Sequence, residues 1–174
     1  MDKTGRPSKD EYYLIIAKDV ALRATCLRRR YGAVIVKNDA QVSAGYCGAP
    51  RECPNCIDLG SCYREQNNIP SGERYDLCRS EHAEVNALLN AARQGTSVLN
   101  GVIYLAGIDK DGKEFPAAPC KKCRKAIINV GLEAIVMREA DGKIHKELIK
   151  DWVKAANLNP DLLVEVPKKE HAQK

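Results

Sequence analysis

A chain of 174 residues with 44% hydrophobic and 29% charged side chains has the size and balance of one globular domain with a sizeable core. No apolar run is long enough to cross a bilayer, and Met1-Asp2-Lys3-Thr4-Gly5-Arg6 has no apolar signal core behind it, so a cytoplasmic protein is expected, without secretion or membrane anchorage. The net charge of +5 is mild and sits largely in Arg28-Arg29-Arg30 and Lys168-Lys169, which suits attraction for a phosphorylated small molecule, while 5% aromatic residues leave few platforms for a polynucleotide.

Residues 1–7 read as a flexible lead and 168–174 as a flexible tail around a single domain over 8–167. Ser8 is placed to cap a helix from about Lys9 to Ala24, with Tyr12, Ile15, Ile16, Val20 and Leu22 as its apolar stripe. Ala33-Val34-Ile35-Val36 predicts a strand, Lys37-Asn38-Asp39 a turn, and Gln41 to Tyr46 the hairpin partner. Residues 47–81 form a Cys-, Gly- and Pro-containing insertion with weak periodicity, expected to be mostly loop. A helix is predicted from His82 to Arg93 with Val85, Leu88, Leu89 and Ala92 inward. Val102 to Ala106 predicts a strand, 109–113 a turn, Cys120 to Val130 a helix stopped by Gly131, and Ala134 to Met137 a strand. Ile144 to Ala156 reads as helix and Leu162 to Val166 as a last strand. Strands alternating with helices after an opening hairpin predict an α/β fold, a three-layer α/β/α sandwich around a mixed, roughly five-stranded sheet.

Two segments carry chemistry. His82-Ala83-Glu84 offers a metal-binding nitrogen and, two residues on, a carboxylate that can reach the same water without binding the metal itself. Pro119-Cys120-Lys121-Lys122-Cys123 offers two sulfurs three residues apart, on one face of a helical turn that Pro119 is suited to start. Thiolates are the zinc-binding form, and a helix N-terminus favours them. Alone, a His-x-Glu is more often a solvated helix face, and a Cys-x-x-Cys serves equally as a zinc knuckle, a redox pair or two small hydrophobes. Together, in this order, they form the signature of zinc-dependent nucleobase deaminases.

With these motifs the chain resembles the cytidine deaminase superfamily, most closely its deoxycytidylate (dCMP) deaminase branch. The resemblance is carried by Arg30-Tyr31-Gly32-Ala33-Val34-Ile35-Val36, Gly45-Tyr46-Cys47-Gly48-Ala49-Pro50, Cys78 to Ala87 and Pro119 to Cys123, and spans roughly residues 10 to 138. It implies a cytidine deaminase-like fold, zinc held by His82, Cys120 and Cys123, Glu84 as the proton shuttle, and the Ala83 amide facing the pyrimidine carbonyl. It further implies a homo-oligomer that responds to dCTP and dTTP. The chain departs from the family in having Cys47 where an Asn that contacts the sugar is usual, and in lacking an aromatic residue in Arg138-Glu139-Ala140-Asp141-Gly142. Substrate contacts are expected from Tyr46, Cys47, Gly48, Ala83, Arg28 and Arg51, the arginines as candidates for a phosphate beside Arg29 and Arg30.

The remaining cysteines are Cys26, Cys47, Cys53, Cys56, Cys62 and Cys78. By resemblance Cys26 and Cys56 match positions for a second, structural zinc, and Cys62 and Cys78 would complete an S₄ set. Cys53-x-x-Cys56 is a competing pair, and free thiols are the plain alternative. Trp152 reads as core or subunit-contact packing. The expected activity is zinc-dependent hydrolytic deamination of a cytosine nucleotide, dCMP to dUMP and ammonia. Its rivals are a deaminase of another nucleotide, a modified cytosine or an RNA base, and, in a different class, a zinc-stabilised non-catalytic regulatory or nucleic-acid-binding module.

Overall fold

The computed structural model describes residues 5–164. In chain order these form α1 (Lys9–Ala21), β1 (Arg30–Lys37), β2 (Ala40–Tyr46), α2 (Cys56–Leu59), α3 (Tyr63–Gln66), α4 (Ala83–Arg93), β3 (Val102–Ile108), β4 (Glu114–Phe115), α5 (Lys121–Asn129), β5 (Ala134–Arg138), β6 (Ile144–Leu148) and α6 (Ile149–Leu158). Short 3-10 turns occupy Tyr75–Leu77 and Pro160–Leu163. No helix among the described residues is long and apolar enough to cross a membrane.

The sheet runs β2-β1-β3-β5-β6, with β4 paired to β3 beside this path. β1 is antiparallel to β2 and β3, β5 is antiparallel to β6, and β3 and β5 are parallel because α5 carries the chain back between them. Asn38 and Asp39 both adopt positive φ, 50° and 63°, as a two-residue hairpin turn between β1 and β2 requires.

Alternation along the central strands fills two cores. Ala33, Ile35, Ile103, Leu105, Ile135 and Met137 face α4, α5 and the Ile149–Trp152 turn of α6. Val34, Val36, Tyr104, Ala106 and Val136 face α1. Helices on both sides of a mixed sheet give the expected three layers. Two glycines set the spacing. A Cβ on Gly45 of β2 would lie 2.7 Å from Ala83 O and from Asn86 C in α4, and closer still to Ala87 N. One on Gly32 would lie 3.0 Å from Ala21 Cα in α1, and closer still to Ala17 O. Both helices therefore touch the sheet backbone itself.

That close approach explains why the predicted apolar stripes were turned. In α1 the buried residues are Tyr13, Leu14, Ala17 and Ala21, while Tyr12, Ile15 and Leu22 are exposed and the helix stops three residues early. In α4 they are Ala83, Glu84, Ala87, Leu88 and Ala91, so of the four expected residues Leu88 alone is buried. Small alanines, not the largest apolar side chains, face a backbone in contact. The 47–81 insertion is mostly loop, as expected, interrupted by the short α2, α3 and a 3-10 turn. Two further expectations fail. The predicted helix at Ile144–Ala156 begins as β6, whose five residues pair with β5 before α6 starts. Leu162 and Leu163 end a 3-10 turn opened by Pro160 and are no strand, while residues 165–166 lie outside the described residues. Trp152 is buried in the core on the α4–α5 side, with Arg124 over its ring at 4.6 Å.

Candidate active site

Both metal-binding segments stand at helix starts on one edge of the sheet. β1 runs opposite to β2 and β3, so its beginning lies beside their carboxyl ends, with Gly32 opposite Tyr46 and Tyr31 opposite Gly107. His82 is the N-cap of α4 and Cys120 the N-cap of α5. The positive ends of two helix dipoles thus converge on the same few ångströms, where they favour thiolates and any developing negative charge. Lys122 of α5 pairs with Glu81 at 2.9 Å, and the same carboxylate accepts the His82 N–H at 3.0 Å. This contact joins the two segments next to their ligands. Burial works against the charge on Glu81, yet Lys122 and the His82 N–H hold its pKa below the usual range.

His82 Nδ1 lies 3.4 Å from Cys120 Sγ and 3.3 Å from Cys123 Sγ, and the sulfurs are 3.6 Å apart. Around a tetrahedral zinc the corresponding separations are about 3.5–3.8 Å, given bond lengths near 2.0–2.3 Å. The donor set therefore fits zinc with one position left open. Among the described residues it is the sole group of three or more such side chains whose ligand atoms all lie within 4.8 Å of one another. The thiol of Cys120 is drawn down to about 4 by its hydrogen bond with Cys123, against burial and with help from His82. Cys123 is pushed up by the same shared proton and by burial.

Glu84 sits on the first turn of α4 with 4% of its surface exposed. Burial raises its pKa, with His82 opposing. Burial of this kind makes a carboxylate a stronger proton acceptor than an exposed one, suited to exchanging a proton with a neighbour. Glu84 lines a pocket of about 80 Å³ with His82, Ala83, Cys120, Tyr31 and Tyr75. The Tyr75 ring stands edge-on to the His82 ring at 4.7 Å and 85°.

Residues 7–139 match the family described as the cytidine and deoxycytidylate deaminase zinc-binding region. The chain belongs to this family. Among curated relatives, the deoxycytidylate deaminase of Schizosaccharomyces pombe is 34% identical over 131 residues, covering 75% of this chain and 37% of the relative. That of Saccharomyces cerevisiae is 33% identical over 135 residues, covering 78% and 39%. The chain thus spans about two fifths of the length of these two yeast relatives. The deoxycytidylate deaminase of Mycobacterium phage D29 is 32% identical over 137 residues, covering 76% of this chain and 95% of its own. Two solved structures share the fold. They are the apo dCMP deaminase of cyanophage S-TIM5 (TM-score 0.56, 24% identity, 79% of this chain and 88% of that one) and a cytidine deaminase from Burkholderia pseudomallei (TM-score 0.55, 21% identity, 80% and 92%).

The expected substrate contacts divide. Cys47 and Ala83 line the pocket. Cys47 Sγ is tied to the backbone, accepting from Tyr31 N at 3.3 Å and donating to Arg29 O at 3.6 Å, so it braces the start of β1. Tyr46, Gly48 and Arg51 are not among the pocket's lining residues. Tyr46 is partly exposed, Gly48 bridges to Glu81, and Arg51 donates to Asn90 at 2.7 Å. Arg28 lines an adjoining cavity of about 130 Å³ and pairs with Glu65 at 3.2 Å. Cys26, Cys56, Cys62 and Cys78 line the same cavity, but no three of their sulfurs come within 4.8 Å of one another, so no tetrahedral S₄ set is gathered there. The Cys26 thiol is instead drawn down to about 5, chiefly by a hydrogen bond with Cys47. Sequence reasoning missed Tyr31 and Tyr75 as pocket walls. Tyr31 lay inside a quoted motif but was given no role there, and nothing in the aperiodic insertion distinguished Tyr75.

Proposed function

We propose that the protein is a zinc-dependent hydrolytic deaminase of a cytosine nucleotide, dCMP first, giving dUMP and ammonia. The observation that carries this reading is a buried Glu84, its pKa raised by burial, beside the His82–Cys120–Cys123 triangle. A purely structural zinc site has no need of that carboxylate. The curated relatives named deoxycytidylate deaminase favour dCMP among the cytosine nucleotides. A zinc ion at these three side chains supplies a Lewis acid that makes water a nucleophile near neutral pH. As a carboxylate, Glu84 would take the proton that water gives up as the C4–O bond forms and pass it to ring N3; it would then move the proton of the new C4 hydroxyl to the amine, so that ammonia leaves as the C4–N bond breaks and C4–O becomes a carbonyl. The Ala83 amide, at the positive end of α4, is the donor suited to the pyrimidine carbonyl. Tyr31 and Tyr75 supply aromatic walls that the segment after β5 lacks.

The wider assembly belongs to the same proposal. Exposed Tyr12, Ile15 and Leu22 on α1 and Leu89 on α4 suit contact between copies in a homo-oligomer, in which dCTP and dTTP would act as effectors. Eight unpaired thiols accord with a cytoplasmic setting. The second zinc requires the four cavity thiols to draw together, and zinc analysis decides it, with two equivalents per chain supporting the site and one removing it.

The test is ammonia release by zinc-loaded protein from dCMP, CMP, deoxycytidine, dCTP and 5-methyl-dCMP, with Glu84→Gln in parallel. Turnover of dCMP that falls roughly 10²- to 10⁴-fold in the variant, with zinc retained, is expected. Silence on every cytosine substrate with zinc bound overturns the reading.

A further inference from the structure

The chain's single phenylalanine, Phe115, stands one ring behind the wall of the zinc pocket, on the two-residue β4. This short strand is an excursion between β3 and the Cys120 segment, and it is held from two sides. Glu114 pairs with Lys18 of α1 at 3.4 Å and with Arg138 Nε of β5 at 3.7 Å. The register sets Phe115 opposite Gly107, and Gly107 opposite Tyr31 on its other side. Residues directly opposite share a face of the sheet, so the three form one row across it. With neighbouring strands about 4.8 Å apart, Phe115 and Tyr31 leave the sheet roughly 10 Å from each other. Their rings nonetheless meet edge to face, with centroids 5.4 Å apart at 89°. The missing side chain between them makes this possible. A Cβ on Gly107 would lie 2.7 and 2.9 Å from two atoms of the Phe115 ring and 3.2 Å from Tyr31 Cε1. Arg29 covers the Phe115 ring at 5.2 Å. Burial raises the pKa of the Tyr31 hydroxyl, against a hydrogen bond from the same Arg29.

Tyr31 is the pocket wall whose place this row decides. His82, Ala83 and Cys120 are set at helix starts, and Cys47 is tied to backbone on both sides. Tyr75 is held between the Arg64 guanidinium and the His82 ring. The Tyr31 ring has no helix or metal ligand against it in this way; it has Phe115. In the deaminase reading the zinc triangle, Glu84 and the Ala83 amide take C4, N3 and the carbonyl of the pyrimidine. The C5–C6 edge is left to the aromatic walls of a pocket of only about 80 Å³. We infer that Phe115, acting through Tyr31, is a positioning residue that sets the width of the pocket at this edge and so decides how well a cytosine substituted at C5 is accepted. This inference rests on the nucleotide deaminase reading and adds its base specificity. The excursion that carries Phe115 also brings Ala118 to the pocket directly, so one segment shapes the site both by contact and from behind.

The experiment measures kcat and KM for dCMP and 5-methyl-dCMP with zinc-loaded wild type, Phe115→Ala, Phe115→Leu, Phe115→Tyr and Trp152→Ala. Without the ring behind it Tyr31 can withdraw. The preference for 5-methyl-dCMP over dCMP should then rise roughly two- to ten-fold in Phe115→Ala, the worth of one edge-to-face pair, and mainly through KM. Phe115→Leu keeps much of the bulk and should move the preference the same way by less. Phe115→Tyr keeps the ring and should restore the wild-type value. Trp152→Ala removes packing away from the pocket and should leave the preference unchanged, because lost stability affects both substrates alike. Calorimetric binding of the two nucleotides to the same proteins in a Glu84→Gln background reads the preference without turnover. An unchanged preference in Phe115→Ala, or an equal shift in Trp152→Ala, overturns the positioning role while leaving the deaminase reading intact. Absence of turnover on both nucleotides removes the deaminase reading, and the calorimetric preference then still decides whether Phe115 sets the width of the pocket.

Discussion

Gly45→Ala tests whether the packing of α4 on β2 sets the metal geometry. The added Cβ would stand 2.7 Å from Ala83 O and Asn86 C, and must recede to the 3.4 Å at which ordinary contact begins, about 0.7 Å at the least. Both atoms belong to helix backbone held by its own hydrogen bonds, so no side-chain rotation can relieve the clash. The helix as a whole moves, and with it His82 at its N-cap and Glu84 in its first turn. Overpacking of this kind costs roughly 1–3 kcal/mol. For a domain of this size that lowers Tm by roughly 2–12 °C. The 3.3–3.4 Å separations between His82 Nδ1 and the two sulfurs would change by a comparable displacement. Misplacement on that scale should reduce turnover on the order of ten- to a hundred-fold, with weaker zinc retention. Thermal unfolding, zinc content after dialysis and ammonia release are measured on the same preparation. Wild-type Tm, zinc content and rate together would refute the argument that the glycine holds the helix against the strand.

Other expectations follow from the same geometry. Cys120→Ser removes a sulfur ligand and should weaken zinc binding by on the order of a hundred-fold or more, beyond what changes around a ligand cost; competition with a chromogenic chelator reads this, and unchanged affinity would contradict the assigned triangle. Because burial raises the pKa of Glu84 above its ordinary 4.5, the metal-stripped protein gains stability from the neutral carboxyl that is complete below that value and lost as pH rises through the folded one. The stability of metal-stripped wild type relative to Glu84→Gln, from urea unfolding, should therefore fall as pH rises above 4.5, and a flat difference would place the carboxyl in water. Trp152→Ala should destabilise the protein by roughly 3–5 kcal/mol, since the ring is buried against the α4–α5 core; a loss under about 1 kcal/mol would make it a surface residue in solution.

The central strands and the helices after them were legible because their alternation and stops are local. Val34, Ile35, Val36 and Ile103 to Ala106 announce a sheet covered on both faces, and Gly131, at φ 73°, ends α5 where expected. The metal triangle was legible because its spacing is chemical. What failed depended on partners distant in sequence. Ile144 to Leu148 carry helix-compatible residues, and pairing with β5 makes them a strand. The turned faces of α1 and α4 follow from Gly32 and Gly45, whose missing side chains make a helix contact that no hydrophobic pattern on the helix records. Tyr75 meets Arg64 and His82 only after the insertion has folded back on the sheet.

The three ligand side chains come from opposite ends of a stretch whose ends, His82 and Cys123, are 41 positions apart, with the whole of β3 threaded between them. Of these three ligands, an unfolded chain keeps only Cys120 and Cys123 close together; the imidazole joins when β3 and α5 are in place. Zinc therefore discriminates between folded and unfolded chains by the worth of that third ligand, and each tenfold of discrimination stabilises the native form by about 1.4 kcal/mol at saturating metal. The ion would act as a late clasp between two helices that otherwise meet mainly through the sheet beneath them. Supply of the metal would then set how long the folded protein lasts.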